Sequence, residues 1–155
     1  MIDLSDLLAP EAVVAALGAA NRKTLFQQLG SIAARAYQLD ARVVGEKLAE
    51  REKLGSTGFG GGVAIPHARI EGLRHVIGAF ARLEKPVDFA AVDELPVDLV
   101  FMLLSPVSAG ADHLKALARV SRRLRDRAFA AKLRGAGSPD ALYALLTGVE
   151  ARDAA

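Results

Sequence analysis

The sequence has no cysteine and no tryptophan. Without cysteine there can be no disulfide and no thiolate metal site, which suits a reducing compartment. Aromatic residues make up 5% of the 155 positions. That is a poor supply of stacking platforms, so no nucleic-acid partner is expected. No apolar run approaches the ~20 residues of a membrane span, and no membrane insertion is expected. The N-terminus carries Asp3 and Asp6 and lacks a basic leader before an apolar stretch, so it does not read as a signal peptide. The expected location is the cytoplasm. The three histidines, His67, His75 and His113, are not at a metal-ligating spacing. No metal and no cofactor is expected.

What is present is a balanced globular composition, 52% hydrophobic and 25% charged, with a formal net charge of +2. The charge is uneven. Residues 114–134 hold Lys115, Arg119, Arg122, Arg123, Arg125, Arg127, Lys132 and Arg134 against Asp126 alone. A run like this, interleaved with Val120, Leu124 and Phe129, reads as a solvated helix face or a docking face for a partner. No repeat or linker divides the chain, and residues 1–155 read as a single domain.

The first half reads as helical. Asn21 can cap a helix with Leu25, Leu29, Ile32, Ala33 and Ala36 on one face. Asp40 can cap a second with Val43, Val44 and Leu48, ending at Gly55 in a left-handed conformation, with Arg51 in its last turn. Residues 76–83 and 97–104 are apolar at most positions, as strands covered on both faces are. Beyond Pro106 a helix with Leu114, Leu117, Ser121, Leu124 and Ala128 on one face is expected. Ser138-Pro139-Asp140 opens a last one. The fold class is α/β: a sandwich with a central sheet flanked by helices.

The chemistry concentrates in one segment. Gly55-Ser56-Thr57-Gly58-Phe59-Gly60-Gly61-Gly62 has five glycines in eight residues, and Val63-Ala64-Ile65-Pro66-His67-Ala68 follows. Glycines allow backbone N–H groups to approach an anion, and the Ser56 and Thr57 hydroxyls add donors. The same string can equally be a hairpin turn. It has no Walker-type lysine and no dinucleotide register. Pro66 stiffens the backbone that presents His67. A neutral imidazole there can act as a nucleophile, provided one ring nitrogen is free and the other is protonated and held by an acceptor. His113, after a possible helix cap at Asp112, would sit in a first turn, where an anion is favoured. From the residues alone, a structural or surface histidine stays open at either position. His75, in a polar turn before a strand, is assigned no chemistry.

The string Arg51-Glu52-Lys53-Leu54-Gly55-Ser56-Thr57-Gly58, followed by Gly60, Gly62 and Ala64-Ile65-Pro66-His67, resembles the phosphorylation site of the fructose/mannitol-type enzyme IIA domains of the bacterial sugar phosphotransferase system. With the strand entry Pro96-Val97-Asp98-Leu99, it most resembles the nitrogen-regulatory branch. The resemblance runs from residues 4–8 to 143–146. Ala68 stands where the family often has glycine. The resemblance implies a mannitol-type enzyme IIA-like fold with a mixed sheet. It implies a phosphotransferase component in which His67 accepts a phosphoryl group from a phosphorylated histidine-containing carrier protein. Arg51 and His113 would line the same pocket, with Ser56, Thr57 and Gly58 as phosphoryl-binding neighbours. Without a permease or second carrier domain in the sequence, the expected role is a regulator that acts on target proteins, in nitrogen- or potassium-related control. The alternative is a sugar-transport component handing phosphate to a permease domain. A phosphohistidine hydrolase is disfavoured, because the Arg-His-Gly signature of such phosphatases is absent. A small-molecule sensor would need a deep apolar pocket.

Overall fold

The computed structural model describes residues 3–148. Along the chain lie β1 (Leu8–Leu17), α1 (Arg22–Tyr37), α2 (Ala41–Lys53), β2 (Gly58–Gly60), β3 (Val63–Ala64), β4 (His67–Ile70), β5 (Ile77–Val87), β6 (Val97–Pro106), α3 (Gly110–Arg125), α4 (Arg127–Gly135) and α5 (Pro139–Thr147). The two apolar runs form β5 and β6, which pair antiparallel at the middle of the sheet. Their side chains are buried on both faces because helices cover both. The strand order is β1-β5-β6-β3-β2, and β4 continues along β6 beyond β3. β1 runs parallel to β5, and β3 and β4 run parallel to β6. The sheet is therefore mixed.

Alternation along β6 sorts the core into two layers. Val100, Met102 and Leu104 pack with Leu25, Leu29 and Ile32 of α1 and Val44 and Leu48 of α2. Leu99, Phe101 and Leu103 pack with Val120 and Leu124 of α3, Phe129 and Leu133 of α4, and Leu142 and Leu146 of α5. Each such side chain, fully buried, stabilises the fold by roughly 1.5–3 kcal/mol. Asn21 and Asp40 cap α1 and α2 with their side-chain oxygens, and Ser138 caps α5, as the sequence predicts.

Four expectations need correction. The first half is not all helical: it contains β1 and the short strands of the glycine segment. β1 is alanine-rich and carries Pro10, which blunts its strand signature. A proline is tolerated there because β1 is an edge strand, and its register with β5 breaks between Leu8 and Val13. Second, α2 ends at Leu54 in right-handed helical geometry; Gly55 (φ 157°) is close to extended. Third, α3 starts at Gly110 after Ala109, with Asp112 inside its first turn and not at the cap. Its inward face is His113, Ala116, Val120 and Leu124, and Leu114 is 65% exposed. The phase differs from the expected face, and the difference turns His113 inward. Fourth, the helix breaks at Asp126, whose carboxylate caps α4, so Ala128 belongs to a new helix.

The basic run is partly structural. Arg119 binds the Asp6 carboxylate at 2.8 Å and the Asp3 carbonyl at 2.6 Å. Arg123 lies 3.7 Å over the Phe129 ring, and Arg125 lies 4.6 Å over Phe59. Arg122 and Arg127 are exposed.

Candidate functional site

Pro66 decides how His67 is presented. β3 and β4 share one register along β6: Val63 lies beside Leu99, Ala64 beside Val100, and His67 beside Leu103. Ile65 and Pro66 interrupt the ladder between them, because proline has no N–H to give it. The Pro66 carbonyl still accepts from the Leu103 N–H at 2.9 Å. The Ile65 N–H donates to the Thr57 carbonyl at 3.1 Å. That leaves the Ile65 carbonyl, which lies 2.8 Å from Nδ1 of His67.

A carbonyl oxygen can only accept, so Nδ1 carries the proton and Nε2 keeps the lone pair. This is the pairing a nucleophilic imidazole needs. Nε2 in turn accepts from Nε of Arg51 at 3.2 Å. Arg51 is held by a second bond, from Nη1 to the Gly55 carbonyl at 2.9 Å. Burial pushes the His67 pKa below the ordinary imidazole value of 6.5. The bond to Ile65 opposes that shift, and the Arg51 cation reinforces it. The ring is neutral at neutral pH.

His67 and Arg69 lie on one face of β4, two residues apart, while Ala68 and Ile70 turn into the core under α1 and α2. On the face of His67, α3 brings in His113. The two imidazole centroids are 5.5 Å apart. Burial, the neighbouring ring and Arg69 all push the pKa of His113 below 6.5. Its Nδ1 lies 2.5 Å from Oγ of Ser105, which is completely buried on β6. A cavity of about 420 Å³ opens over these groups, lined by Lys47, Glu50, Arg51, Leu54, His67, Ala68, Arg69 and His113. Lys47 and Glu50 pair at 3.7 Å, which leaves Arg51 and Arg69 as the cations of the cavity. A larger cavity, about 840 Å³, lies between α1 and α2 but contains no histidine. The smaller one holds both His67 and His113.

The structure thus brings together Arg51, His67 and His113. It does not bring Ser56, Thr57 and Gly58 to the lining of that cavity. The Ser56 hydroxyl donates to the Phe89 carbonyl. Thr57 donates from its N–H and its hydroxyl to the buried Glu52 carboxylate, at 3.1 and 2.7 Å. Glu52 also pairs with Arg22 at 3.3 Å. The Gly58 N–H goes to Ser56 Oγ, and the Gly61 N–H goes to the Asp93 carboxylate. These donors are committed, so the segment is no anion cradle. It is the hairpin of β2 and β3, with Gly60, Gly61 and Gly62 all at positive φ. A Cβ on Gly58 would come within 3.0 Å of Phe89 and 3.1 Å of Ala91. The hairpin's service to the site is indirect: its Thr57 carbonyl fixes Ile65. His75 is exposed in the turn before β5.

Sequence reading missed Arg69, Ser105 and the Ile65 carbonyl. Arg69 could have been found from strand alternation, two residues beyond His67. Ser105 carries no local signal, because only the pairing of β4 with β6 and the return of α3 place it beside His113.

The site can hold a phosphoryl-sized anion over a neutral imidazole with two arginines at hand. Comparison with known proteins gives the chain its relatives. Residues 6–149 match the family model described as phosphoenolpyruvate-dependent sugar phosphotransferase system, EIIA 2. A protein of Bradyrhizobium diazoefficiens named nitrogen regulatory protein is 50% identical over 143 residues, 92% of this chain and 94% of its own length. One of the same name from Pseudomonas aeruginosa is 39% identical over 97% of this chain and 98% of its own. The crystal structure of nitrogen regulatory protein IIA-Ntr from Neisseria meningitidis superposes with a TM-score of 0.85 at 37% identity, covering 92% of this chain and 97% of that one.

Proposed function

The chain belongs to the EIIA 2 family of the phosphoenolpyruvate-dependent sugar phosphotransferase system, and from that premise we propose that it is a regulatory phosphocarrier that accepts a phosphoryl group on Nε2 of His67. The observation that carries this reading is the Ile65 carbonyl on Nδ1, which leaves the Nε2 lone pair toward the cavity. The donor is a phosphohistidine on a histidine-containing carrier protein. The Nε2 lone pair attacks phosphorus in line, the new P–N bond forms, and the donor's P–N bond breaks. The departing electron pair stays on the donor imidazole. Arg51, freed from Nε2, turns to the phosphoryl oxygens, joined by Arg69 and His113. They offset charge spread over the equatorial oxygens. The leaving group is good enough that the step needs neither metal nor nucleotide.

A protein donor needs a surface to dock on. Leu54, Val107 and Leu114 are 85%, 57% and 65% exposed. Leu54 lines the cavity, Leu114 follows His113, and the Val107 carbonyl accepts from Arg69 at 3.5 Å. An apolar rim around a cationic centre suits such a partner. On this reading the transfer takes place in the cytoplasm. Incubation with that carrier, followed by mass spectrometry, should locate one acid-labile, base-stable phosphoryl group on His67. His67→Ala should take none; full labelling of that variant refutes the assignment.

The relatives' name, nitrogen regulatory protein, supports a regulatory role over delivery of phosphate to a sugar permease domain. A phosphoryl dianion on His67 would cancel the positive charge that Arg51 and Arg69 give the cavity and displace a partner docked there. Affinity capture with each phosphoform tests it: partners should differ between the two. Equal recovery contradicts a charge switch, and rapid onward transfer to a permease domain favours transport.

A further inference from the structure

We propose that Ser105 is a positioning residue that fixes His113 as its Nε2–H tautomer, so that this ring presents an N–H donor to the phosphoryl group on His67. The inference rests on the phosphoryl-accepting reading above. Ser105 lies on β6 beside Arg69 of β4, two residues beyond Leu103, the neighbour of His67. The three therefore share the face that α3 covers. Oγ of Ser105 is 2.5 Å from Nδ1 of His113, and both residues are buried.

Only one proton can lie between these atoms. If Nδ1–H donated to Oγ, the hydroxyl proton would need another acceptor. Among the described residues Ser105 Oγ has no other hydrogen-bond partner. A fully buried hydroxyl with an unpaired proton is penalised. The hydroxyl therefore donates, Nδ1 holds the lone pair, and the ring proton sits on Nε2. That nitrogen bonds to no protein group, yet Arg123 Nε is the orphan found among buried side-chain polar atoms of the described residues. Nε2 of His113 is therefore open to solvent, and the opening available to this ring is the cavity it lines with His67.

The two histidines then carry opposite tautomers, each imposed by a different neighbour. Ile65 gives His67 a free acceptor at Nε2. Ser105 gives His113 a free donor at Nε2. One ring is set to take the phosphorus and the other to bind its oxygen.

Long-range proton–nitrogen NMR on the unmodified protein at pH 8 tests the assignment. It should show the lone pair on Nδ1 of His113 and on Nε2 of His67. In Ser105→Ala, His113 should become a mixture of tautomers while His67 is unchanged. Single-turnover phosphorylation by the phosphorylated histidine-containing carrier protein should slow by about 10- to 100-fold. Ser105→Thr restores the hydroxyl and should recover both readouts. A wild-type His113 protonated on Nδ1 overturns the proposal, as does a Ser105→Ala variant with unchanged tautomer and rate. Should Ser105→Ala fail to fold, the wild-type tautomer decides alone. A wild-type protein that takes no phosphoryl group overturns the parent reading instead, so the two failures are separable.

Discussion

Replacing Arg51 by alanine and by lysine separates the donor role of this residue from its charge. Its guanidinium is fixed at two points, on the Gly55 carbonyl and on Nε2 of His67. It is thus in place before the phosphoryl group arrives. Loss of one such preorganised donor costs about 3 kcal/mol of transition-state stabilisation, or roughly 100-fold in rate. A second effect opposes this. The Arg51 cation helps to depress the His67 pKa, so its removal lets that pKa rise and makes the ring a better nucleophile. At pH 8 the wild-type ring is neutral, and Arg51 ranks behind burial and the Ile65 bond among the causes of the shift, so the gain in nucleophilicity is the smaller effect. The donor loss wins. Arg51→Lys keeps the charge but not the fixed fork, and should fall between the two, about tenfold below wild type. The assay is single-turnover phosphorylation at saturating carrier, so that docking drops out. An Arg51→Ala rate within about threefold of wild type, with the label still on His67, would refute the reasoning.

Three further expectations follow from the geometry. Both His67 and His113 have depressed pKa values. The unfolded chain therefore binds more protons than the native one just below about pH 6.5, and stability falls as pH drops through that window. Denaturant midpoints should decline from pH 7.5 to pH 5, and His67→Ala should flatten the slope; an unchanged slope contradicts the burial argument. Ser56→Ala removes a hydroxyl bound to Phe89, and should lower stability by about 1 kcal/mol with little effect on phosphorylation rate. A rate loss at full stability would return Ser56 to the phosphoryl group. Gly30→Ala would push a Cβ to 2.2 Å from the Ala41 carbonyl, where α1 and α2 cross. Urea unfolding should show a loss of about 1–3 kcal/mol, and none at all would mean that the helices do not meet there.

Sequence reading reached furthest where a single local rule decides. The caps at Asn21, Asp40 and Ser138 depend on a side chain and the next turn of backbone. The strands at β5 and β6 declare themselves by apolar runs. The rigid presentation of His67 follows from Pro66. It failed where tertiary pairing overrides a weak local pattern. Leu8–Leu17 is a strand only because β5 offers an edge to it. The phase of α3 is fixed by the groove it fills, not by Leu114, and that phase is what turns His113 inward. Ser56 and Thr57 look like free donors in a glycine-rich string, but the Glu52 carboxylate at the end of α2 and the carbonyl of the distant Phe89 claim them. Arg51, His67 and His113 could be singled out in the sequence, and the structure brings them to one cavity; which protons are free was visible only in the packed molecule.

The direct measurement is the ring nitrogen that carries phosphorus. Phosphorus–nitrogen NMR of the phosphorylated protein should show the bond at Nε2 of His67, with the proton retained on Nδ1 against the Ile65 carbonyl. A phosphoryl group found on Nδ1, or on any other residue, would contradict the account at its root.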